Sequence, residues 1–107
     1  MIRHCVFVQF KSEVSSAQRK ALFGQIESLQ SRLAGLLVVH IGQNVSPETG
    51  MDKGFSDGFM IDFKTAHDRD AYLLDAEHQA IGAQLVDSAV GGAAGILVYD
   101  MEVGHEE

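Results

Sequence analysis

Tyr72 and His78, six residues apart in the run AYLLDAEHQA, are the side chains of this sequence best suited to acid–base chemistry on one ligand. A near-neutral imidazole can take a proton, and a phenol can donate to a carbonyl oxygen that is gaining negative charge. Both roles need the two groups at the same ligand. On one unbroken helix six residues turn the chain through about 600°, which leaves the pair roughly 120° apart. They form a site only if the helix stops between them. Asp75 is the residue type that starts a new helix, and from it His78, Ile81 and Leu85 fall on one face.

The elements that must hold this pair can be read from periodicity. Residues 2–11 alternate as a strand does, with His4, Val6, Val8 and Phe10 on one face and Arg3, Cys5, Phe7, Gln9 and Lys11 on the other. Ser15 and Gln18 have capping-box spacing, and Leu22, Ile26, Leu29 and Leu33 follow at helical intervals up to Gly35. Residues 36–45 are rich in β-branched types and end in a loop with Pro47, Gly50 and Gly54, so they predict a second strand. Residues 56–64 alternate again, and Thr65 with Asp68 opens a helix toward Leu74. The glycine-rich AVGGAAG leads into a last strand, ILVYDMEV, and the tail GHEE is expected to fray.

The order is βαββαβ with the second helical segment broken in two. Right-handed crossovers then give an α+β fold, a ferredoxin-like four-stranded antiparallel sheet with its helices on one face. Cys5, Phe7 and Met60 point to the other face, and an open apolar sheet face is an association surface. Two such sheets packed about a two-fold axis would make a homodimeric α/β barrel.

The 107 residues, 46% of them hydrophobic, suit one domain spanning 1–107 with one modest core. A formal charge of −7, with the eight basic residues scattered, argues against nucleic acid and anionic membrane partners. Cys5 is the single cysteine, so an internal disulfide is excluded and a reducing cytoplasm fits. No segment reaches the roughly 20 apolar residues of a membrane span. The five histidines lack metal-binding spacing, the glycines at 91, 92 and 95 lack the Lys-Ser/Thr of a phosphate loop, and no cofactor is expected.

RHCVFVQFK, GFSDGFMIDF, AYLLDAEH and LVYDME together resemble the stress-responsive dimeric α/β-barrel family over nearly the whole chain. The resemblance implies a small βαββαβ homodimer, most members of which have no assigned reaction. One branch includes plant polyketide cyclases, in which a tyrosine and a histidine around the helix break promote an aldol cyclisation. Tyr72 and His78 stand at the matching positions, and His4 matches a histidine of the first strand. The sequence departs from that branch at Asp57, where the cyclases have histidine, and at Ile26, where they have tyrosine.

These readings converge on a small, largely apolar pocket between helices and sheet. Tyr72 and His78 are its candidate catalytic pair; His4, Phe59, Ile61, Phe63 and Ile81 are its candidate substrate-binding residues. The ligand expected is a small apolar or aromatic carbonyl metabolite, bound in the setting of a stress response that the resemblance implies. Alternatives are a cofactor-independent lyase or cyclase, with His78 as base and Tyr72 stabilising the oxyanion, and a cofactor-free monooxygenase. A purely structural role competes with these, since a histidine at a helix start and an amphipathic tyrosine can simply satisfy local hydrogen bonds. The charge of His78 is left open: the helix dipole favours the neutral ring, whereas Asp75 and Glu77 favour the charged one.

Overall fold

The structure is a computed structural model that describes residues 1–104. His105 and the rest of the expected frayed tail lie outside the described residues. Four strands and three helices follow in the order β1 (Ile2–Val8), α1 (Ser16–Ser28), β2 (Leu36–Gln43), β3 (Asp57–Phe63), α2 (Ala66–Leu74), α3 (Ala76–Ser88) and β4 (Ile96–Glu102). The strands form one sheet in the spatial order β2-β3-β1-β4, each neighbouring pair antiparallel. This is the ferredoxin-like βαββαβ arrangement.

Local chemistry explains where each helix begins. Ser15 accepts from the Gln18 backbone N–H while the Gln18 side chain accepts from Ser15 N–H, a complete capping box. Thr65 caps α2 by accepting from Asp68 N–H. The regular part of α1 ends at Ser28, and the periodicity expected to run on to Leu33 passes instead into a 3-10 turn at Leu29–Ser31. Gly35 then turns the chain into β2 with φ of 79°, a left-handed conformation that favours glycine.

Strand register sorts the residues onto two faces. His4 pairs with Ile61 and Asp100, and Val6 with Phe59 and Val98, so these point toward the helices. There Val6, Val8, Phe59, Ile61 and Phe63 pack with Leu22, Phe23, Ile26, Tyr72, Ile81 and Leu85 as the core. The opposite face carries Cys5, Phe7, Met60, Leu97, Tyr99 and Met101, of which the three on β4 are 44–57% exposed. Gly58 belongs to that face because Phe7 crosses it: a Cβ there would lie 2.6 Å from the Phe7 ring and 2.8 Å from the Val6 carbonyl. A large apolar ring thus covers the open face at Gly58.

Candidate functional site

Asp75 builds the site by ending one helix and starting the next. Its backbone is extended, at φ −67° and ψ 130°, between α2 and α3. The carboxylate accepts the His78 backbone N–H at 3.0 Å and holds Arg32 through two bonds of 3.0 and 2.7 Å. Arg32 also reaches Glu77 at 2.9 Å. The bend brings two side chains together that a continuous helix would hold apart, and the rings of Tyr72 and His78 have their centroids 4.0 Å apart.

Around this pair the sheet supplies His4 and Phe63. The Tyr72 ring lies 5.7 Å from His4, edge to face, and 5.1 Å from Phe63. Ile61 is the cross-strand neighbour of His4 and is fully buried, and Ile81 follows His78 on the buried face of α3. Phe59 does not join the group. It packs on Phe23, which packs on Phe10, in a separate aromatic row toward the other end of the sheet. Alternation put Phe59 on the right face, but four residues of strand, at about 3.3 Å each, separate it from Phe63.

The pocket expected between helices and sheet is differently arranged as well. His4, Phe59, Ile61, Phe63, Tyr72 and Ile81 are all buried in close packing. A cavity of about 540 Å³ lies instead beside the open sheet face and the 44–56 loop, lined by Phe7, Ile41, Phe55, Met60 and Leu97, and Phe59 is the only candidate residue that touches it. The side chains on the helix face are large enough to meet, whereas Gly42, where a Cβ would meet nothing within 4 Å, leaves the other face hollow near the loop.

Two polar atoms inside this packing have complementary chemistry. Tyr72 Oη and His78 Nδ1 are buried, and no protein group among the described residues bonds to either. Burial, aided by Asp75, pushes the Tyr72 phenol up from its ordinary value, so it remains an O–H donor. Burial, and next the charge the neighbouring His4 carries when it is protonated, push the His78 imidazole down, against weaker upward pulls from the Leu73 carbonyl and Asp75. The neutral ring is therefore favoured, which decides the question the sequence left open. Asp75 is a fully ionised carboxylate, held down at about 2 by Arg32 and then by the His78 N–H, and the Arg32 charge beside it offsets its pull on the ring.

His4 is also held, by residues that the sequence reading passed over. Its Nδ1 lies 2.6 Å from Asp100, whose other oxygen accepts from Arg69 at 2.7 Å. The available signal was Asp100 itself, a charged residue in an inward position of β4, but only the register of β1 on β4 shows what it faces. No group of three or more His, Cys, Asp and Glu suited to a metal ion occurs among the described residues. Nor is any described helix long and apolar enough to cross a membrane.

Fold and site together define an α+β protein of ferredoxin-like topology with a buried tyrosine–histidine pair at a helix break. The chain belongs to the stress responsive A/B barrel domain family, whose profile matches residues 2–103. A dimeric ferredoxin-like protein of unknown function from Jannaschia sp. CCS1 is 30% identical, with a TM-score of 0.88 over 95% of this chain and 98% of that one. A protein from Arabidopsis thaliana is 19% identical, with a TM-score of 0.85 over 100% and 99% of the two chains. A hydroxynitrile lyase from Passiflora edulis is 17% identical, with a TM-score of 0.82 over 99% and 95%. The last two show likeness of fold alone. No curated protein matches the sequence.

Proposed function

We propose that this protein is a homodimer that binds a small apolar or aromatic carbonyl compound at the Tyr72–His78 pair, whose rings touch, so that the compound reaches their polar atoms only when the side chains packed around them move aside. One observation carries the reading: the Tyr72 hydroxyl and His78 Nδ1, on two rings in contact, are both buried and have no protein partner among the described residues. Leaving such groups unsatisfied costs about 1–3 kcal/mol each. A ligand whose carbonyl oxygen accepts from Tyr72 and whose proton faces His78 Nδ1 would satisfy both. Phe63, Ile61 and Ile81 supply the apolar surroundings that exclude water.

A second reading, cofactor-independent lyase or aldol-type cyclase, is favoured by the protonation states. His78 is held neutral, as a base must be, and Tyr72 stays protonated, as an oxyanion donor must. His78 Nδ1 would take a proton from the carbon beside the carbonyl. The C–H electrons then form the enolate double bond, and the carbonyl π electrons move onto the oxygen that Tyr72 stabilises. The cofactor-free monooxygenase has no observation of its own to favour it.

Acetophenone, an aromatic ketone with exchangeable methyl protons, tests both readings. Binding should shift the NMR signals of Tyr72 and His78, and the enzyme reading expects the methyl protons to exchange with D₂O faster than in buffer. His78→Ala should return exchange to the buffer rate while the protein stays folded. Undiminished exchange in that variant refutes the base role, and the absence of binding by a series of aromatic ketones and aldehydes refutes the carbonyl site. The dimer is supported by the exposed apolar residues of β4 and by the dimeric relative. A monomeric mass by light scattering in dilute solution would overturn it.

A further inference from the structure

The ion pairs under the site form a chain that nothing in the acid–base reading requires. His4 is 3% exposed, and its Nδ1 meets Asp100 Oδ1 at 2.6 Å across the β1–β4 pairing. Asp100 Oδ2 accepts from Arg69 Nη1 at 2.7 Å, and Arg69 Nε donates to Asp70 at 2.9 Å. Both oxygens of Asp100 are thereby committed, one to the sheet and one to α2. An ionised carboxylate can only accept, so the hydrogen on this contact belongs to His4 Nδ1. In the neutral ring the lone pair must then sit on Nε2, across the ring from Asp100.

We propose that Asp100 and Arg69 are positioning residues that fix His4 in its Nδ1–H tautomer, making His4 Nε2 a second acceptor beside the Tyr72–His78 pair. His4 lies close enough to serve, with its ring 5.7 Å from that of Tyr72. Asp100 sets the tautomer. Arg69 stops the carboxylate from turning away, and its own bond to Asp70 braces it from α2. The placement explains a costly arrangement: an imidazole taken out of water at the base of the core is held by a carboxylate, whereas a backbone carbonyl would satisfy it equally well. With both histidines neutral, a ligand in the proposed site would therefore meet one donor and two acceptors. This rests on the proposed carbonyl site for its purpose, but its test does not.

Nitrogen-15 NMR of the histidine side chains reports the tautomer directly, with no ligand or turnover. At pH 9 in the unmodified protein His4 should show a protonated Nδ1 and a bare Nε2. In Asp100→Asn the amide can offer a hydrogen where the carboxylate offered a lone pair, and in a His–Asp pair that change selects the wrong tautomer. The Nε2–H form of His4 should then become the majority. Arg69→Met, at a partly buried residue, should give a mixture of tautomers, and Arg69→Lys should restore the original one. A bare Nδ1 in the unmodified protein overturns the proposal, and so does an unchanged tautomer in both Asp100→Asn and Arg69→Met. With acetophenone added, Asp100→Asn should weaken binding several-fold. If the tautomer switches as stated while acetophenone binds no form of the protein, the carbonyl site has failed and the positioning chain stands.

Discussion

Replacing Tyr72 by phenylalanine removes one oxygen and leaves the ring, which makes it the sharpest test of whether that oxygen serves function or fold. The ring is 1% exposed and contacts His4, Phe63 and His78, and all of those contacts survive the change. The hydroxyl has no protein partner among the described residues, so no hydrogen bond to protein is lost. What is lost is the desolvation cost of a buried unsatisfied group, about 1–3 kcal/mol. Taking the lower end to allow for relaxation, Tyr72→Phe should stabilise the fold by about 1 kcal/mol. For a chain of this size that is a rise in Tm of roughly 4 °C. Scanning calorimetry at fixed protein concentration measures it, since the Tm of a dimer depends on concentration. In parallel, acetophenone binding should weaken by at least tenfold, because the carbonyl oxygen loses its donor. A fall in Tm of 4 °C or more would mean that the hydroxyl holds an ordered water or backbone group as a structural bond. Unchanged binding would then complete the refutation.

The pH dependence follows from His78. Its folded value lies below the ordinary 6.5, so the folded state disfavours protonation. The stability contributed is complete above about pH 6.5 and is lost as pH falls through the lower, folded value. Tm measured from pH 7.5 to 5 should drop more in the unmodified protein than in His78→Asn, and equal drops would contradict the assignment. Asp75→Ala should lower Tm and separate the Tyr72 and His78 rings, seen as loss of the NMR contacts between them, because it removes the α3 cap and the Arg32 pair together. Asp75 is held at about 2, so its contribution is present above about 3.8 and is lost as pH falls toward 2. Acid unfolding in Asp75→Ala should lack that component, and an unchanged acid limb would refute it.

Much of this was legible locally. Ser15, Thr65 and Asp75 cap the helices whose starts their spacing predicts, because a cap bond spans three residues and depends on little else. Alternation in β1 and β3 likewise separated core face from open face, since side-chain direction follows from the pleat. Phe59 marks where that reasoning runs out. A face is a two-residue period, but a site is a position along the face, and the helices that pack above it decide that position.

The sequence by itself determined the βαββαβ order, the break at Asp75 and the candidacy of Tyr72 and His78, all matters of neighbours within a few residues. Only the tertiary structure decided that the two rings meet at 4.0 Å, that burial outweighs Asp75 in keeping His78 neutral, and that Asp100 holds His4. The reason is sequence distance. Arg32 neutralises Asp75 from 43 residues away, and Asp100 reaches His4 across 96, so the charge that each histidine feels is set by strand register and helix packing.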